Sequence, residues 1–105
     1  MDKKKSLMRS LRIFKKNLGK NMTVDKMILF GSQATGKTHK WSDVDLILVS
    51  KKFRKMNFFE RGAKLYNYWS VRRPVDFLCY TPEEFARKSK GITIVREALK
   101  HGIEV

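Results

Sequence analysis

Apolar residues near the start of the chain recur at Leu7, Leu11, Phe14 and Leu18, a spacing of i, i+4, i+7 and i+11. That spacing puts them on one face of a helix with 3.6 residues per turn. It predicts an amphipathic helix over 3–18, stopped by Gly19, with the intervening lysines and arginines on its wet face. Met27-Ile28-Leu29-Phe30 is short and apolar and runs straight into Gly-Ser, so it reads as a buried strand. Val44 to Ser50 reads as a second strand, nearly all aliphatic after Asp45. Asn57 with Glu60 resembles a capping box and opens a helix over about 58–71, with Phe58, Leu65 and Trp69 assigned to the core. Phe59, Tyr66 and Tyr68 exceed what one core face accepts, which leaves a side of this helix for a partner. Pro74 ends the segment, and Val75 to Tyr80 forms a third strand on which Cys79 is a small core residue. Thr81-Pro82-Glu83-Glu84 opens another helix: a Thr cap, Pro at the first helical position and Glu at the third. A last helix is predicted over about 92–100, ending at Gly102. Strands alternating with helices in this order argue an α/β layer.

Composition narrows the setting. With 105 residues, 42% of them hydrophobic, the chain reads as one domain able to fold without staples. It has no apolar run of the roughly 18 residues that span a membrane. The basic start Met1-Asp2-Lys3-Lys4-Lys5 lacks the apolar stretch of a secretory signal. The single cysteine fits a reducing, cytoplasmic setting. Twenty-four Lys and Arg against ten Asp and Glu give a net charge of +14. This field either attracts polyanions such as nucleotides or RNA, or an acidic protein, or is only the solvated surface of a chain from a basic or heat-adapted proteome; it is dispersed and names no ligand. Lys51, Lys52, Arg54 and Lys55 read as a solvated turn. His39 and His101 are too far apart for a zinc site.

Two motifs compete for the stretch LFGSQATGKTHKWSDVDLILV. Gly31 to Thr38 formally matches the phosphate loop G-x-x-x-x-G-K-S/T after a strand-like segment. Such a loop must run into a substantial helix. Here only His39, Lys40, Trp41 and Ser42 precede the next motif, and the match reads as chance. Trp41 reads as loop packing rather than base stacking.

The alternative is Gly31-Ser32, ten residues, then Asp43-Val44-Asp45. Residues i and i+2 of a strand point to one side, so Asp43 and Asp45 project two carboxylates into one pocket. Carboxylates at close range hold a hard cation readily. Gly31 lets the backbone approach a phosphate without a Cβ in the way. Ser32 offers a hydroxyl and an N–H at the start of a short helix. A third carboxylate, for a second metal, is best sought at Asp76, an acid inside the apolar run Val75-Asp76-Phe77-Leu78. Whether Asp76 faces the other two depends on strand register, since a slip of one residue reverses its side.

The pattern LFGS-x10-DVDL resembles the nucleotidyltransferase motif of the DNA polymerase β superfamily, and the whole chain resembles its minimal nucleotidyltransferases. The resemblance extends to VDFLCYTPEEF and to the closing IVREALKHGIEV. It implies a polymerase β palm-like fold, a small mixed β-sheet with flanking helices. It implies that Asp43, Asp45 and Asp76 are catalytic and bind two Mg²⁺ ions, or Mn²⁺ in their place. Gly31 and Ser32 would hold the triphosphate. Many relatives continue as GSRARG, whereas Gln33 and Thr35 stand here, so Lys37 or Lys40 would supply the missing charge.

The activity implied is transfer of a nucleoside monophosphate, AMP favoured, from an NTP to an acceptor with release of pyrophosphate. The resemblance also implies a helical HEPN-type protein partner in a toxin–antitoxin module, with homo- or hetero-oligomers admitted and nucleic acid admitted but not required. The rival is a non-catalytic antitoxin that neutralises its partner by docking. A third reading is a basic RNA-binding protein indifferent to the aspartates.

Overall fold

The computed structural model of the chain describes residues 3–35, 43–91 and 93–105. The first helix, α1 (Lys3–Gly19), forms as its pattern predicts, with Leu7, Leu11, Phe14 and Leu18 all buried. Strand β1 (Lys26–Phe30), the single turn α2 (Ser32–Thr35) and strand β2 (Val44–Val49) follow. A 3₁₀ turn (Lys51–Lys55), α3 (Phe58–Tyr66) and strand β3 (Val75–Tyr80) come next. The chain continues through α4 (Pro82–Ser89), α5 (Ile94–His101) and β4 (Ile103–Glu104). The described strands form one mixed sheet in the order β3-β2-β1-β4. β2 is parallel to β3 and antiparallel to β1, and β4 is antiparallel to β1.

Alternation along the strands builds two cores. Met27, Leu29, Leu46, Leu48, Val75 and Cys79 join the α1 seam and Leu65 of α3 on one face. Ile28, Phe30, Ile47 and Val49 meet Phe85 of α4 and Val95 and Ala98 of α5 on the other. Each large apolar side chain so buried contributes about 1.5–3 kcal/mol, so tertiary packing holds these short elements in place. Burial also pushes the Cys79 thiol up to about 12, which leaves it an inert core residue.

Both capping boxes form: Asn57 Oδ1 accepts from Glu60 N at 2.9 Å, and Thr81 Oγ1 accepts from Glu84 N at 3.1 Å. The helix over 58–71, however, stops at Tyr66. Its last residues turn back into an aromatic cluster in which Trp69 packs edge-on against Phe14 and Phe77, at 5.1 and 5.7 Å between centroids. Trp69 Nε1 also donates to Arg73 O at 2.9 Å, so Trp69 packs, partly buried, against the edge of the core and is held there by a turn. Phe58 is not the core residue its position in the pattern suggests: it is 58% exposed and lies beside Phe59 at the start of α3, a turn beyond the part of the helix that meets the core. The final helix begins at Ile94 because Thr93 caps it, accepting from Arg96 N and donating to Lys88 O. The short strand β4 was not anticipated. It reaches β1 because Gly102 has no Cβ, which would stand 2.7 Å from Ile28 Cγ2 and 2.9 Å from Leu29 O. The predicted solvated turn at 51–55 is a 3₁₀ turn, wet at its lysines but anchored by buried Phe53.

One buried cation links several elements. Arg61 is 8% exposed; its Nε donates to Met56 O, and its Nη1 donates to Cys79 O and to Glu84 Oε1 at 2.7 Å. Burial works to raise the Glu84 pKa, but hydrogen bonds from Arg61 and from Thr81 N outweigh it and leave it below the ordinary value. Glu84→Gln should therefore cost about 1–3 kcal/mol in urea denaturation at neutral pH, because the buried guanidinium loses its counter-charge. A carboxylate whose pKa is lower in the folded state stabilises above its unfolded value and loses that contribution as the pH falls through the folded value. The stabilities of wild type and variant should accordingly converge below the ordinary glutamate range.

Candidate functional site

The strand period places the acidic residues. Asp45 alternates with Leu46 and Leu48, so it lies on the α4–α5 side of β2. The parallel register pairs Val44 with Val75, Asp45 with Asp76, and Leu46 with Phe77. Asp76 therefore shares the face of Asp45 on the neighbouring strand, and the question of register is resolved in favour of pairing. Val44 N donates to Pro74 O at 2.9 Å, which fixes the two strands where the pair begins. Asp43 stands exposed at the entry to β2, one residue before the strand.

Across β1, Asp45 pairs with Phe30, and Gly31 follows at once. Gly31 adopts φ +74°, a left-handed conformation that side chains disfavour. A Cβ there would also collide with Asp45: the carboxylate carbon lies 3.3 Å from its position and Oδ2 lies nearer still. Gly31 is thus required by its dihedral and by the carboxylate beside it. Ala34 N donates back to Gly31 O at 3.1 Å within the turn that becomes α2.

The electrostatics follow from this crowding. Partial burial first, and then the negative charges of Asp76 and Asp43, hold the Asp45 pKa above the usual carboxylate value. Asp45 is thus the carboxylate on which the other two converge, although among the described residues no three acidic, His or Cys side chains close into a ligand cluster.

A cleft of about 760 Å³ opens beside the pair, with Gly31, Asp45 and Asp76 in its lining. Its other walls come from Phe58 of α3 and from Ile94, Glu97 and His101 of α5. Asp43 does not line it. None of these four wall residues was singled out for this site from the sequence. Their approach depends on how α3 and α5 pack against the sheet, and no local pattern carries that. Phe58, misassigned to the core, is instead an apolar wall of the cleft.

Ser32 opens α2. Lys37, Lys40, His39 and Trp41 lie outside the described residues. Gln33, at the position of an arginine in the motif of many relatives, is buried. The phosphate-loop alternative requires residues 32–35 to be loop, and they form α2. No helix among the described residues is long and apolar enough to cross a membrane.

The nucleotidyltransferase domain family matches residues 7–103 of the chain. No curated protein matches it by sequence. Among solved structures, a candidate nucleotidyltransferase from Sulfolobus solfataricus, at 1.40 Å, superposes with a TM-score of 0.68 and 20% identity. That match covers 96% of this chain and 80% of the other. A chain of a toxin–antitoxin solved with AMP-PNP superposes with a TM-score of 0.54 and 18% identity, covering 98% and 72%. These structural likenesses speak to the fold. The match over residues 7–103 carries more: the chain belongs to the nucleotidyltransferase domain family.

Proposed function

We propose that the chain transfers a nucleoside monophosphate, AMP from ATP, to a hydroxyl on a partner protein at the Asp43, Asp45 and Asp76 carboxylates. The observation that carries this reading is the cross-strand pair Asp45–Asp76 beside the Cβ-free Gly31, within a nucleotidyltransferase fold. The toxin–antitoxin neighbour solved with AMP-PNP favours ATP as the nucleotide and a protein as the partner. A helical HEPN-type protein is the acceptor that fits a toxin–antitoxin setting in the cytoplasm.

In kind the donors suit a hard divalent cation: all are carboxylate oxygens, and burial first, then the charges of Asp76 and Asp43, raise the Asp45 pKa, a cost that a bound cation would offset. Asp43 and Asp45 would hold both ions and Asp76 would complete the acceptor side. When bound, Mg²⁺ or Mn²⁺ would offset charge on the triphosphate and on the departing pyrophosphate. The backbone at Gly31 and Ser32 would receive the triphosphate, with Lys37 and Lys40 adding positive charge. The acceptor oxygen attacks the α-phosphorus, the bond to the bridging oxygen of pyrophosphate breaks, and the acceptor proton leaves on the Asp76 side. The protein's part is positioning and charge compensation.

With ATP labelled at the α-phosphate, the label should pass to the co-purifying partner. That transfer should be lost in Asp43→Asn/Asp45→Asn and fall at least about 100-fold in Asp76→Asn. If the double variant still silences its partner in full, the chain acts by docking alone. Gly31→Ala should cost about 1–2 kcal/mol in denaturation for the left-handed backbone, and should lower transfer further by displacing Asp45. A Gly31→Ala protein with unchanged stability and transfer would contradict the site geometry.

A further inference from the structure

α1 carries seven Lys and Arg within Lys3–Gly19 and no Asp or Glu, and Lys20 follows it. At about 100° per residue, Lys5, Arg9, Arg12 and Lys16 fall within about 60° of arc. They lie opposite the buried seam of Leu7, Leu11, Phe14 and Leu18, and all four are exposed. Among the described residues no carboxylate pairs with any of them; the ion pairs use Lys26, Arg54, Arg61 and His101.

This stripe works against the helix that bears it. Like charges at Lys5–Arg9 and Arg12–Lys16 repel at i, i+4 by about 0.2–0.5 kcal/mol per pair. The first turn has no acid to oppose the positive end of the helix dipole. α4 of the same chain follows the opposite rule, with Glu83 and Glu84 in its first turn and Arg87 and Lys88 in its last. A face that serves only hydration has no need of one sign at the cost of helix stability.

We propose that the stripe is a track for the phosphodiester backbone of single-stranded RNA. Its four cations are spaced by one helical turn and rise about 16 Å along the axis, a row that meets successive phosphates of an extended strand. α1 is convex and packed on the sheet, so a rigid duplex would touch it only where two rods cross, whereas a flexible strand follows it. Ile13, 55% exposed beside the stripe, offers an apolar surface to a base. A membrane surface is a poor occupant because the apolar face of α1 is already buried in the core. An acidic protein would need apolar anchors, and Ile13 alone is present. The stripe lies on the sheet face opposite Asp45 and Asp76, so this binding is independent of nucleotide transfer.

Fluorescence anisotropy of a labelled oligouridine of about 12 nucleotides tests the proposal. Four phosphate contacts predict a loss of about 50-fold in affinity between about 50 and 200 mM salt. In Lys5→Gln/Arg9→Gln/Arg12→Gln/Lys16→Gln that loss should shrink to about two-fold or less, and affinity at low salt should fall more than about tenfold. The Tm of this variant should hold or rise, because removing the repulsion relieves α1. The control Lys51→Gln/Lys52→Gln/Lys55→Gln/Lys90→Gln removes the same charge from other exposed positions and should stay within about twofold of wild type. An equal drop in the control would mean diffuse attraction by the net charge and overturn the track. Tighter binding of duplex DNA, or no binding of the oligouridine by the wild type, would overturn it as well.

Discussion

The parallel register of β2 against β3 is the constraint on which both the core and the candidate site depend. β2 is central and nearly continuously apolar, so both of its faces are committed to packing. Side chains on a strand alternate, and a slip of one residue would exchange Val75, Phe77 and Cys79 with Asp76, Leu78 and Tyr80. Asp76 would then enter the core built around Leu7, Leu46 and Leu65, where an unpaired charge costs several kcal/mol. Excluding Asp76 from one face delivers it to Asp45 on the other. The hydrogen bonds from Val44 N to Pro74 O and from Ser50 N to Tyr80 O hold the register at its two ends. The carboxylate pair is thus a consequence of hydrophobic packing rather than a stabilising feature in itself.

Much of this fold is legible in the sequence because its strongest signals are local. The α1 seam, the two capping boxes and the apolar strand runs each depend on residues within a turn or two of one another, and each forms as read. What escapes is non-local. α3 ends early because Trp69 is worth more against Phe14 and Phe77 than in another helical turn. β4 exists because Gly102 lets the chain close on Ile28 and Leu29, a contact between segments far apart in sequence. The candidate site divides in the same way. Gly31, Asp43 and Asp45 are visible as a spaced motif, and Asp76 as an acid out of place in an apolar strand. The cleft walls Phe58, Ile94, Glu97 and His101 are not, since tertiary packing alone assembles them.

Charge is distributed so that opposite partners are drawn to different places. A chain of net charge +14 attracts anions generally, yet at one end of the sheet Asp45 lies under the negative charges of two more of its ten acids, Asp76 and Asp43. On the proposed reading, that local negative patch holds cations, and the cations together with the surrounding positive field hold the triphosphate. The all-basic face of α1 lies on the other side of the sheet and leaves this site unobstructed.

Calorimetric titration of ATP into the protein with Mg²⁺, repeated on Asp43→Asn/Asp45→Asn, tests the central claim most directly. The account predicts binding that requires the metal and disappears in the double variant. Binding that survives the double variant and is lost instead in Lys37→Ala would contradict it, returning the nucleotide to a phosphate loop.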